Sequence, residues 1–130
     1  MPYYFTVGEA NALLPKVKRM IREVRFWKRR AEALRRALEH QAMDIMEQRR
    51  LRSLYAAAQR RMREALERLE ALGCIVRDVE VGLVDFPALR FGEMVYLCWR
   101  EDEPQLQYWH GPREGFSGRK PLWPNLEALV

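Results

Sequence analysis

Six ionisable residues in the C-terminal half are of types that do chemistry. Asp85, Glu101, Glu103, His110, Glu114 and Arg119 fall among the aromatic residues Phe86, Trp99, Trp109 and Phe116. In an aromatic-walled pocket His110 would act as a base or a ligand, with a carboxylate to orient it. The candidate ligand-binding group is therefore Asp85, Trp99, Glu103, Trp109, His110 and Arg119. Carboxylate and imidazole donors suit iron or zinc, so Glu103, His110 and Glu114 form a candidate metal set. A purely structural arrangement uses the same residues. Arg119 would fork onto Asp85 or Glu103, and His110 would donate to a carbonyl, fixing the Gly- and Pro-rich segment 111–121 onto a sheet. Asp85, just before Phe86 and Pro87, reads as a turn residue bonding nearby amides rather than as a nucleophile. The chain contains no P-loop, GxGxxG, HExxH or GxSxG pattern, so no residue is assigned a catalytic role and no cofactor is named. Cys74 and Cys98, outside any CxxC spacing, read as free buried thiols.

These residues need strands to position them. After Gly73 the pattern turns to period two, with Cys74 to Val81, Met94 to Trp99 and Leu106 to His110 as strands. A four-residue loop from Glu101 to Pro104 would set Trp99 opposite Leu106, Leu97 opposite Tyr108 and Val95 opposite His110. His110 would then share a face with Trp99. Cys98 would point to the other face, about 10 Å away along the strands, which disfavours a metal ion shared with His110. A one-residue slip would invert this.

The strands in turn need a second layer, and the N-terminal half supplies helices. Thr6 and Glu9 form a capping box. Leu13, Val17, Met20, Val24, Trp27, Ala31, Leu34 and Leu38 follow at 4-3 spacing, with Ile21 beside them, and Pro15 inside the pattern predicts a kink or a separate first turn. Leu51, Tyr55, Ala58, Met62, Ala65, Leu69 and Leu72 repeat the spacing, and Gly73 ends it. Extending the first seam lands on Gln41, Ile45, Gln48 and Arg52, so its phase is lost, and Asp44 with Glu47 offers a second capping box. The reversal lies near His40 to Asp44. Phe26, Leu54 and Leu66 fall outside the seams and seek cover.

Charge follows the same division. Residues 1–72 hold 17 Lys/Arg against 9 Asp/Glu, whereas 73–130 hold 6 against 9. Lys18, Arg22, Arg25, Arg29 and Arg36 share one stripe of the first helix, with Lys28 and Arg30 beside it. The stripe is either a solvated face or a phosphate-neutralising surface. No apolar run approaches the roughly 20 residues of a membrane span, and the start lacks a signal-peptide pattern, so a cytoplasmic protein away from membranes is expected.

The fold class is thus α+β. One domain over 1–130 holds a long antiparallel, heptad-patterned helical hairpin (1–72) followed by a small antiparallel β-sheet module (73–130). Several separate motifs, Gly82–Ala88, Val95–Arg100, Tyr108–His110, Gly115-Phe116, Gly118–Pro121 and the opening Phe5-Thr6 with Glu9–Pro15, resemble the bacterial proteins grouped as domain of unknown function 2203. Asp102 departs from that pattern, where a turn Gly is expected. The resemblance spans nearly the whole chain and implies a fold rather than a reaction, because the family has no assigned activity.

Among functions, a non-enzymatic, self-associating interaction or assembly module agrees best with the seams, the charge asymmetry and the missing motifs. It implies a homodimer open to a protein partner. The alternatives are a small metal- or ligand-binding enzyme with a His/carboxylate site in the β module, and nonspecific nucleic-acid binding through the basic helix face. Light scattering behind size exclusion checks the assembly part: a dimer mass at micromolar concentration is expected, and a strict monomer would remove it.

Overall fold

A computed structural model describes residues 3–40 and 42–122; residue 41 of the expected reversal and 123–130 of the expected β module lie outside them. Helix α1 (Val7–Leu38) and helix α2 (Ile45–Glu70) precede strands β1 (Ile75–Asp78), β2 (Leu83–Arg90), β3 (Glu93–Arg100), β4 (Tyr108–His110) and β5 (Lys120–Pro121). The strands pair antiparallel in chain order in one five-stranded sheet. The α+β class and the helical hairpin are as expected. No described helix is long and apolar enough to cross a membrane.

Both helix starts follow their caps. Thr6 Oγ1 accepts from the Glu9 amide at 3.1 Å while Glu9 Oε1 accepts from the Thr6 amide at 2.9 Å, the reciprocal box. Asp44 Oδ1 accepts from the Glu47 amide at 2.8 Å and starts α2, but the expected box is only half formed, because the Glu47 carboxylate accepts from Arg50 instead of from the Asp44 amide. Gly73, at φ +104°, follows the end of α2 in a conformation that glycine adopts without strain. Pro15 does not split off a separate first turn; α1 runs unbroken through it. The buried stripe of α1 is Ala10, Leu14, Val17, Ile21, Val24, Ala31 and Leu34, with Leu13 and Met20 only partly buried. It therefore departs from the expected seam at its N-terminal end. The cause is a second neighbour: the first half of α1 packs on both α2 and the sheet, in one core with Val84, Phe86, Leu97 and Trp99. Beyond Val24 the apolar core is that of the hairpin by itself, around Ala31, Leu34, Leu51 and Ala58.

Two strands were not expected, β2 and β5. Pro87 in mid-segment argues against a strand because it cannot donate to the ladder. Here the deficit falls where it costs nothing. Pro87 pairs with Tyr96 of β3, and on its other side β1 has already ended, having paired only Leu83 to Asp85. The Pro87 carbonyl there accepts from the Phe5 amide at 2.7 Å. Asp85 accordingly sits in mid-strand and not in a turn.

Helix and sheet are also joined by charge. Arg25 reaches Glu101 and, at 3.0 and 3.1 Å, the Val79 carbonyl; Arg22 joins the same carboxylate at 3.3 Å. Lys28 and Arg29 both reach Glu80 at 2.9 Å. Four cations on the outer face of α1, three of them in the basic stripe, are thus paired to acids of the sheet's turns, which explains the charge division between the two halves. Gly82 lets this happen: at φ +70°, a Cβ there would lie 2.5 Å from the Glu101 Cβ.

The Arg25 hydrogen bond holds the Glu101 carboxyl below its ordinary range. A depressed folded-state value contributes stability above the unfolded pKa near ~4.3 and loses it as pH falls through the folded value. Glu101→Gln should therefore lower stability by about 2 kcal/mol at pH 7 and flatten the loss between pH 5 and 3. Urea midpoints across that range test this, and parallel wild-type and variant curves would refute it.

Candidate functional site

The site follows from two registers. Phe91 and Gly92, at φ +51° and +80°, make a two-residue hairpin turn of the kind that matches strand twist. It pairs Arg90 with Glu93, and every later pair follows, including Asp85 opposite Cys98. On the next ladder Tyr96 opposes His110, Leu97 opposes Trp109 and Cys98 opposes Tyr108. This is one residue away from the expected register. The cause lies in the connection. Arg100 and Glu103 close a turn, with the Glu103 amide on the Arg100 carbonyl at 2.9 Å, and the Leu106 amide goes to Asn11 Oδ1 of α1 at 2.8 Å instead of into the ladder.

The slip sorts the candidate residues onto opposite faces. Trp99 and Trp109, with Phe86, are buried in the core under the helices and are not pocket walls. Asp85, Cys98 and His110 point to the other face, contrary to the expectation that His110 lies with Trp99 and apart from Cys98. One ligand atom from each of the three lies within 4.8 Å of the others. They line a cleft of about 390 Å³ together with Arg77, Leu83, Pro112, Arg113, Glu114, Gly115 and Phe116.

The bonds of this group are unusual. His110 Nδ1 lies 2.8 Å from the Gly111 carbonyl, and Nε2 lies 3.0 Å from Asp85 Oδ2. A carbonyl only accepts, so Nδ1 carries the proton. Nε2 of a neutral ring then turns a lone pair toward a carboxylate, which is repulsive unless a second proton or a cation lies between them. His110 and Asp85 are 3% and 1% exposed. Asp85 Oδ1 is buried without a partner. Arg77, the extra residue of a bulge in β1, donates through Nε to Asp85 Oδ2 at 2.9 Å. Burial, with the Asp85 charge beside it, pushes the Cys98 thiol up to about 12.

Glu103 and Glu114 do not join His110. Arg119 reaches both oxygens of Glu103 through Nη2, at 2.6 and 2.9 Å, and not Asp85, and Nη2 also lies within reach of the Cys98 carbonyl. Glu114 Oε1 accepts from the Gly111 amide and from Lys120. The expected metal set is thereby replaced, among the described residues, by Asp85, Cys98 and His110. Arg119 instead holds the end of the loop that covers the site, stacked 4.1 Å from Tyr108 and 4.6 Å from Phe116. Cys98 and Arg77 were missed. The signal for Cys98 was the Phe-Gly turn, which fixes its pairing with Asp85; no pattern in the chain announces the bulge at Arg77.

In the metal-free protein at pH 8, neither buried, protonated thiol should react with a disulfide reagent, and both should react on unfolding. Rapid modification of Cys98 in the folded protein would instead mark it as an exposed nucleophile.

Comparison with known proteins identifies a family and no reaction. The model of a family described as an uncharacterized conserved protein, DUF2203, matches residues 3–122. No curated protein and no solved structure matches.

Proposed function

We propose, for a chain that belongs to the DUF2203 family, that Asp85, Cys98 and His110 hold a single metal ion and that the protein acts on a small molecule in the cleft above it. One observation supports this more than any other: the Gly111 carbonyl fixes the His110 proton on Nδ1, so that Nε2 faces the Asp85 carboxylate with the Cys98 sulfur alongside. A cation there removes the lone-pair conflict and gives the orphaned Asp85 Oδ1 something to bind. A histidine ligand whose other ring nitrogen donates to a backbone carbonyl is the usual outer-shell arrangement of metal sites. Thiolate, imidazole and carboxylate together suit zinc or ferrous iron. Three protein ligands leave a coordination position for water or substrate, and a metal so held activates water and polarises a substrate oxygen.

The residues around the group have supporting roles. Arg77 orients Asp85, Glu114 shapes the loop by accepting from Gly111, and Arg119 anchors that loop to Glu103. Phe116, Leu83 and Pro112 give the cleft an apolar wall.

Protein purified without a metal-affinity tag should contain about one zinc or iron per chain. Cobalt substituted for it should give a thiolate charge-transfer band. Cys98→Ser should abolish that band and weaken metal binding about a hundredfold or more, while His110→Ala should weaken binding without merely lowering the melting temperature. Absence of both metal and band, with Cys98→Ser indistinguishable from wild type, would refute the proposal.

Self-association is a second reading, supported by apolar side chains left in water on the hairpin: Phe26, Ile45 and Met46 are 58%, 64% and 69% exposed. A second copy of the hairpin is the occupant we propose. Met46→Glu should lower the mass seen by light scattering if these residues meet across a dimer, and an unchanged mass would place any interface elsewhere.

A further inference from the structure

The cleft over Asp85, Cys98 and His110 has one unmatched cation in its lining. Its lining includes the guanidinium groups of Arg77 and Arg113 and the carboxylates of Asp85 and Glu114. Both carboxylates are already engaged. Asp85 faces His110 and accepts from Arg77, while Glu114 accepts from the Gly111 amide and pairs with Lys120 at 2.6 Å. The cations are matched only in part. Among the described residues no carboxylate pairs with Arg113, and Arg77, 43% exposed, meets only Asp85. Arg77 is also stacked 5.1 Å from the Tyr96 ring, which keeps the guanidinium over the cleft. The lining also includes Leu83, Pro112 and Phe116, the last 43% exposed.

We propose that this cleft binds a small oxyanion on a short apolar body, an organic carboxylate or a phosphate-type ester, with Arg113 and Arg77 as its counter-charges; this rests on the metal reading of the same site for its reaction but not for its charge. A planar guanidinium matches the two oxygens of such a head group, which is why arginine serves where carboxylate or phosphate is recognised. The apolar wall then takes the body of the ligand. A divalent ion held by one thiolate and one carboxylate has no net charge of its own to lose, so the two arginines decide the sign of what enters. Cationic and neutral molecules of the same size are excluded or bound weakly. The distribution also separates this cleft from the α1 face, whose Arg22, Arg25, Lys28 and Arg29 are paired to acids of the sheet.

The probe is phenylphosphonate, titrated into the cobalt-loaded protein and followed through the cobalt absorption, with benzyl alcohol as a neutral control and inorganic phosphate as a head group without the body. Phenylphosphonate should saturate the change, phosphate should bind more weakly, and benzyl alcohol should have no effect. Arg113→Gln, at an exposed position that touches none of the three ligands, should raise the dissociation constant about tenfold while leaving cobalt affinity unchanged. An equal response to benzyl alcohol, or an Arg113→Gln protein that binds phenylphosphonate as tightly as wild type, would overturn the inference. If cobalt gives no thiolate band, the metal reading fails by itself. The titration then moves to calorimetry on the metal-free protein, where binding that depends on Arg113 upholds the anion site and absence of binding refutes it.

Discussion

The geometry of the candidate site depends on one constraint, the two-residue turn at Phe91 and Gly92. Both residues hold positive φ, and Phe91 is the one non-glycine among the described residues to do so. For a phenylalanine this conformation costs on the order of 1 kcal/mol, so the surrounding hairpin must over-determine it. The gain is register. Because side chains alternate, a turn of this length places Asp85 against Cys98 and sends Phe86 and Leu97 to the opposite face. A turn longer by one residue would exchange the polar group for the core.

The two faces then obey different physics. Toward the helices the sheet presents Val84, Phe86, Ala88, Val95, Leu97, Trp99 and Trp109, a dry surface closed by α1 and α2. Toward the 111–119 loop it presents an acid, a thiol and an imidazole, none more than 3% exposed. A buried polar cluster is tolerable only when its bonds are complete, and this one is not, since Asp85 Oδ1 has no partner. The same loop is held by ion pairs, Arg119 with Glu103 and Glu114 with Lys120. The unpartnered carboxylate oxygen thus sits at the centre, with ion pairs around it.

Much of this was legible in the residues, and the exceptions have identifiable causes. The capping boxes, the loss of phase between the helices and the change to period two after Gly73 gave the helical hairpin and the sheet, because those signals are local. The buried stripe of α1 could not be read as a single seam, since which residue faces inward depends on a sheet that is distant in sequence. β2 was hidden by Pro87, whose tolerance rests on the shortness of β1 and on the Phe5 amide. The site residues Asp85 and His110 were identified by type, but their partner Cys98 was set on the wrong face. That error arose in the 101–107 connection, where Asn11 of α1 captures the Leu106 amide. Nothing within the loop itself reports a bond made by a helix some ninety residues earlier.

The hydrogen bond from Phe5 to Pro87 has a consequence for how the chain assembles during synthesis. The helical hairpin is made first, and its contacts are local, so it can form as soon as it leaves the ribosome. Yet Ala10, Leu14, Val17, Ile21 and Val24 find their full cover only against strands translated after residue 83. Until then the nascent hairpin carries an uncovered apolar stripe at its open end. Docking of the sheet, and with it closure of the Asp85, Cys98 and His110 group, is the late event of folding, and the interval before it is when the chain is most exposed to aggregation and to chaperones.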